Sequence, residues 1–152
     1  MSVQLTPHFS YNSKYDRIKC PCEKCKDDST IQIDIAILWV AEAIRTYLNA
    51  FHSGHIVLIV TSGCQCLRYH YSLYQKMGKN KFDVPIRSRH LFTPSAKSDA
   101  LDIVPLDKKE RYTTNDLLNV VERYYTDWPG GFHVYRSQGF FHIDLGDGKR
   151  RW

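Results

Sequence analysis

The chain has 152 residues, enough for one ordinary domain with its own core, and 43% of them are hydrophobic, which excludes a disordered polypeptide. No apolar run approaches the roughly 18 residues of a membrane span, and MSVQLTPHFS at the start has no basic segment followed by an apolar one, so the expectation is a protein made in the cytoplasm without a secretory signal. The net charge of +5 suits an anionic partner as well as plain solubility, but the basic residues are scattered apart from Lys149, Arg150 and Arg151. Without a basic stripe interleaved with aromatics, no nucleic-acid partner is expected.

In chain order, residues 5–28 are polar and irregular and read as an extended arm or loop layer. Ser29 followed three residues later by Gln32 matches a capping box. Ile33, Ile37, Val40, Ala41, Ile44, Leu48 and Phe51 then fall on one stripe, predicting a core helix from about 30 to 51 that Gly54 stops. His55 to Thr61, HIVLIVT, is continuously apolar and β-branched, the pattern of a strand buried on both faces. Residues 66–77 are a weaker helix candidate, and Gly78, Lys79 and Asn80 open a polar loop. Leu101 to Val104 reads as a strand ending before Pro105. Thr113 with Asp116 is a second capping pair, and Leu117, Leu118, Val121, Tyr124, Tyr125 and Trp128 follow at helical spacing until Pro129-Gly130-Gly131. Phe132–Arg136 and Phe140–Leu145 alternate as two strands of a hairpin joined by Ser137-Gln138-Gly139. The fold class is therefore α+β, a small antiparallel sheet with helices packed on one face.

The chemistry concentrates in the second half. SRHLFTPSAKSDALDI, Ser88 to Ile103, puts His90 and Asp102 at the two mouths of one loop. In the last strand Phe141, Ile143 and Leu145 share one face, while His142 and Asp144 share the other with Phe140. Two imidazoles and a carboxylate are the ligand set of an open zinc site, in which the fourth position is kept for water whose pKa falls to about 7. A neighbouring carboxylate then serves as general base. His and Asp are common residues, and the alternative is a turn histidine, a strand-end aspartate and a surface histidine with ordinary partners.

The order of these stretches resembles the family of zinc D-alanyl-D-alanine carboxypeptidases, in its small single-domain branch. The matching pieces are IVTSGCQC at Ile59–Cys66, SRH at Ser88–His90, SDALDI at Ser98–Ile103 and FFHIDLGDGKRRW at Phe140–Trp152, covering nearly the whole chain. The resemblance implies a Hedgehog/DD-peptidase-like fold, a single zinc peptidase-like domain over 1–152 with a cysteine-containing arm over about 1–28, and Zn2+ held by His90, Asp102 and His142. It implies hydrolysis of peptide bonds in bacterial peptidoglycan stem peptides or cross-links. A monomer is expected, and the absence of a visible signal points to a protein that reaches the wall after lysis or as part of a virion. Ser88 is implied beside the site, and Asp144 is the candidate for base or supporting carboxylate, since Gly139, Phe140 and Phe141 offer no acid before His142. Two features depart from the family. Where it has an Arg after Thr-Ser-Gly, this chain has Cys64-Gln65; Gln65 carries no charge, a loss on the order of a few kcal/mol of transition-state stabilisation unless Arg68 or Arg87 substitutes. The loop between His90 and Asp102 is also longer by roughly five residues near LFTPS, a change that loop-closure entropy penalises little. These departures leave a second expectation, a catalytically degenerate wall-binding or virion structural module of the same fold.

Five cysteines, an odd number, argue against a full disulfide framework. Cys20, Cys22 and Cys25 with Cys64 or Cys66 form a possible structural zinc site, Cys20–Cys22–Cys25–Cys66 being one such set. A disulfide from the arm to Cys64 or Cys66, or free thiols, remain open alternatives.

Overall fold

A computed structural model describes residues 2–52 and 54–146; the Lys149–Arg150–Arg151 cluster and Trp152 lie outside them. The elements in order are β1 (Val3–Gln4), β2 (Ser10–Tyr11), α1 (Glu23–Lys26), α2 (Ile35–Phe51), β3 (Ile56–Ser62), α3 (Leu67–Lys76), a 3-10 turn (Lys81–Asp83), β4 (Ala100–Asp107), α4 (Thr114–Tyr125), β5 (Phe132–Tyr135) and β6 (Phe140–Asp144). The protein is α+β, with a two-stranded β1–β2 ribbon and a four-stranded antiparallel sheet in the order β3-β4-β6-β5. Among the described residues no helix is long and apolar enough to cross a membrane.

Register assigns the two faces of the larger sheet. Cross-strand partners share a face, so Val60, Ile103, Phe141 and Val134 line up on one side with Leu101, Ile143 and Phe132. All seven are buried, in one cluster with Ile37, Leu38, Ala41, Ile44 and Leu48 of α2 and Leu117, Leu118 and Val121 of α4. Each such side chain contributes about 1.5–3 kcal/mol when fully buried. The opposite face carries Asp102, His133, His142 and Asp144. Apolar burial thus fixes the sheet from one side and leaves the other for chemistry.

Several boundaries differ from the sequence expectation. Ser29 and Gln32 do not cap α2. Residues 32–34 run extended instead, with Ser98 N–H donating to the Gln32 carbonyl at 2.8 Å and Asp34 N–H to the Ser98 carbonyl at 2.7 Å. The helix therefore starts only at Ile35, where Asp34 Oδ1 accepts from Ala36 N–H at 2.9 Å. The capping box at Thr113 and Asp116 forms as read. Strand β3 is not buried on both faces: it is an edge strand whose residues alternate between buried and half-buried. Strand β4 does not stop before Pro105 but runs to Asp107; pairing with β6 ends at Ile103, so Pro105 lies where β4 is flanked by β3 alone. Trp128 lies beyond α4, in a turn, with its indole N–H donating to the Asp144 carbonyl at 2.8 Å. The arm, read as an extended or loop layer, is anchored in the core, where Phe9, Tyr11 and Ile18 are fully buried.

Candidate metal centre

His90, Asp102 and His142, read from three separate stretches, converge. His142 lies directly across from Asp102 in the β4–β6 ladder, and the turn before Leu91 brings in His90. The separations are 2.9 Å from His142 Nδ1 to Asp102 Oδ1, 3.3 Å from His90 Nε2 to Asp102 Oδ1, and 3.3 Å between His90 Nε2 and His142 Nδ1. Zinc–ligand bonds of about 2.05 Å at tetrahedral angles place ligand atoms about 3.3 Å apart. The three atoms therefore outline one face of such a tetrahedron. The Asp102 side chain keeps 21% of its exposure, against 9% and 10% for the two histidines, so the group is open on its carboxylate side.

The remaining ring nitrogens are committed elsewhere. His90 Nδ1 donates to the Gly63 carbonyl at 2.8 Å, and His142 Nε2 faces Asp144 Oδ2 at 2.9 Å. These bonds fix each ring's orientation, so that His90 Nε2 and His142 Nδ1 face the centre as the ligand atoms. Asp144 is only 1% exposed, and its Oδ1 accepts from Gly131 N–H at 3.1 Å and Gly146 N–H at 2.8 Å. Gly131 has no alternative here: a Cβ would stand 2.2 Å from Asp144 Oδ2.

Charge follows geometry. Burial pushes the Asp102 carboxyl up, but His90 and His142 outweigh it and hold it well below the usual carboxylate range. Asp144 is likewise held low against burial, by His142 and the two backbone amides. Burial opposes charge on His142, yet its bonds to Asp102 and Asp144 raise it to about 9. Two carboxylates around two imidazoles favour a positive charge among them, which a proton or a divalent cation supplies.

The long loop is anchored at its base. Arg89 Nε donates to Asp99 Oδ1 at 2.7 Å, a second guanidinium nitrogen meets Asp99 Oδ2, and Ser98 Oγ donates to the Arg89 carbonyl at 3.2 Å. The middle of the loop forms an exposed turn closed between Thr93 and Ala96, away from the ligands. Ser88 acts within its own turn, its Oγ accepting from His90 N–H at 3.4 Å. A bulge at Thr61 places Ser62 opposite Asp102. Gln65 is buried with its amide engaged at both ends, Nε2 donating to Ser62 Oγ at 2.8 Å and Oε1 facing His70 Nδ1 at 2.6 Å. Arg68 and Arg87 are both exposed.

Sequence reading missed His133, the cross-strand partner of His142 on the same face. The signal was available, since a hairpin with Tyr135 opposite Phe140 sets residue 133 against 142. His133 packs edge-on against Tyr135 at 4.5 Å, and Tyr135 stacks on Phe140 at 4.6 Å, giving this flank of the group an aromatic border.

Comparisons of the chain with protein-family models, with curated proteins and with solved structures returned no match.

Proposed function

We propose that the protein is a zinc metallopeptidase of Hedgehog/DD-peptidase-like fold that hydrolyses D-alanine-containing peptide bonds of bacterial peptidoglycan, reaching the wall after lysis or as part of a virion. The observation that carries this reading is the tetrahedral face formed by His90 Nε2, Asp102 Oδ1 and His142 Nδ1 on the sheet face opposite α2 and α4, open beside Asp102. A zinc ion held there supplies Lewis acidity and an activated water. The chain's own residues do the positioning. Gly63 and Asp144 orient the two imidazoles, Ser88 holds the turn that delivers His90, and His133, Tyr135 and Phe140 border the face on which a peptide would lie. Asp144, with both oxygens occupied, acts through His142 rather than on substrate.

The test is digestion of defined stem peptides ending in D-Ala-D-Ala, and of purified sacculi, by zinc-loaded protein. Released D-alanine or new amino groups, absent with His90→Ala and His142→Ala, would support the reading. Zinc-loaded protein that releases neither product would defeat it. A second reading, a wall-binding module without catalysis, is favoured by Gln65, which brings no charge and has its amide engaged internally. It requires that sacculi bind the protein yet yield no new amino groups.

A further inference from the structure

The arm poses a physical problem. It reaches the core through Phe9, Tyr11 and Ile18, yet among the described residues its regular structure is limited to a ribbon of two two-residue strands and the four-residue α1, neither of which is stable by itself. Its backbone nevertheless sits in a defined place. Gly63 N–H donates to the Arg17 carbonyl at 2.9 Å and Cys64 N–H to the Ile18 carbonyl at 2.8 Å. The approach is so close that a Cβ on Gly63 would stand 2.7 Å from the Ile18 oxygen.

Just after this contact the chain gathers sulfur. The thiols of Cys20, Cys22, Cys25 and Cys66 all lie within 4.8 Å of one another, with 3.4 Å between Cys22 Sγ and Cys66 Sγ. Tetrahedral zinc with four thiolates at about 2.3 Å places sulfurs about 3.8 Å apart. Cys22 and Cys25 bracket one helical turn, the two-residue spacing common among zinc ligands, and Cys66 sits at the N-cap of α3. Backbone amides point at the sulfurs, Cys66 N–H at Cys20 Sγ and Tyr69 N–H at Cys66 Sγ, each at 3.4 Å. Cys64 takes no part; it is 1% exposed, in the core. A disulfide would account for two of these thiols, but four converge.

We propose that Cys20, Cys22, Cys25 and Cys66 bind one structural zinc ion, which fastens the arm to the start of α3 and so holds the Ile18–Gly63 contact. The site is closed, with four protein ligands and no position for substrate. Its effect on the sheet face is indirect: the Gly63 whose amide the arm engages is also the residue whose carbonyl orients His90.

The experiment uses full-length His90→Ala protein purified under reducing, anaerobic conditions, so that the metal counted does not depend on the histidine group. The expected result is about one zinc per chain, released by a mercurial thiol reagent, and lost when Cys22→Ser or Cys66→Ser is added. Cobalt substitution of the unmutated protein guards against misfolded variants and should give the intense near-ultraviolet sulfur-to-cobalt charge-transfer bands of thiolate ligation. Metal-free His90→Ala protein, cobalt spectra without those bands, or cysteines recovered as a disulfide would overturn the proposal. None of these outcomes bears on whether zinc-loaded wild-type protein cleaves stem peptides.

Discussion

The His90–Asp102–His142 group and the Cys20–Cys22–Cys25–Cys66 group are linked by one backbone relay, from Arg17 of the arm through Gly63 to His90. The first is carried largely by paired strands. Asp102 and His142 are register partners, and the ring nitrogens not facing the centre are tied to a carbonyl and a buried carboxylate. The second is carried by an arm with almost no secondary structure, and its thiols supply their own geometry. A site meant to stay open needs a scaffold that holds three ligands without the ion's help, because the fourth position must remain exchangeable. A closed thiolate site can let the ion do the folding.

The comparison breaks most sharply at His142. His142→Ala should abolish hydrolysis of stem peptides and remove about one zinc per chain while the thiolate-bound metal stays; loss of both metals together would show that the two groups are not independent. Asp144→Asn should be the next largest effect. An amide facing His142 Nε2 reverses the tautomer and puts a proton on the ligand nitrogen, so zinc affinity at the histidine group should fall about 10- to 100-fold, measured by competition with a chelating dye. Unchanged affinity would mean that Asp144 does not set the ring.

A smaller effect isolates the arm. Glu42 of α2 accepts from Thr6 Oγ1 and His8 N–H, both at 2.7 Å, and faces His8 Nδ1 at 2.8 Å. Burial pushes its carboxyl up, but the bonds from Thr6 and His8 outweigh this and leave it below the ordinary glutamate value. A carboxyl depressed by folding adds stability that is fully present above its unfolded pKa and fades as pH falls through the folded one. Glu42→Gln should therefore cost about 1–3 kcal/mol at neutral pH, and the gap from wild type should close as pH drops through the acidic carboxylate range. Denaturant melts across pH would show it, and a gap independent of pH would contradict it. The histidine-group zinc affinity should not change. Smallest of all, Pro94→Ala in the exposed turn should shift stability by no more than about 0.5 kcal/mol and leave zinc content intact; a larger shift would mean that this turn supports the site.

Much of this was legible in the sequence because periodicity reports burial directly. The stripe Ile37–Ala41–Ile44–Leu48 and the alternation of Phe141 and Ile143 against His142 and Asp144 both reappear as faces in the structure. The Thr113–Asp116 capping box was readable because both partners lie within one turn. The Ser29–Gln32 pair obeyed the same local rule and failed, because Ser98 captured the backbone of residues 32–34 from a distant part of the chain. The edge position of β3 was hidden for a related reason: an apolar run states that side chains avoid water, not how many neighbours its strand has.

By itself, then, the sequence determined residue types and local periods. These amounted to an α+β pattern, two imidazoles and a carboxylate suited to a divalent cation, and an odd number of cysteines, which argues against a full disulfide framework. Only the tertiary structure decided that Asp102 and His142 stand across a ladder with His90 at 3.3 Å, that Asp144 is buried against His142, that His133 joins them, and that the thiol of Cys66 rather than that of Cys64 gathers with the arm's three thiols. The physical reason is that strand register and loop docking depend on contacts between residues distant in the chain, which local spacing does not encode.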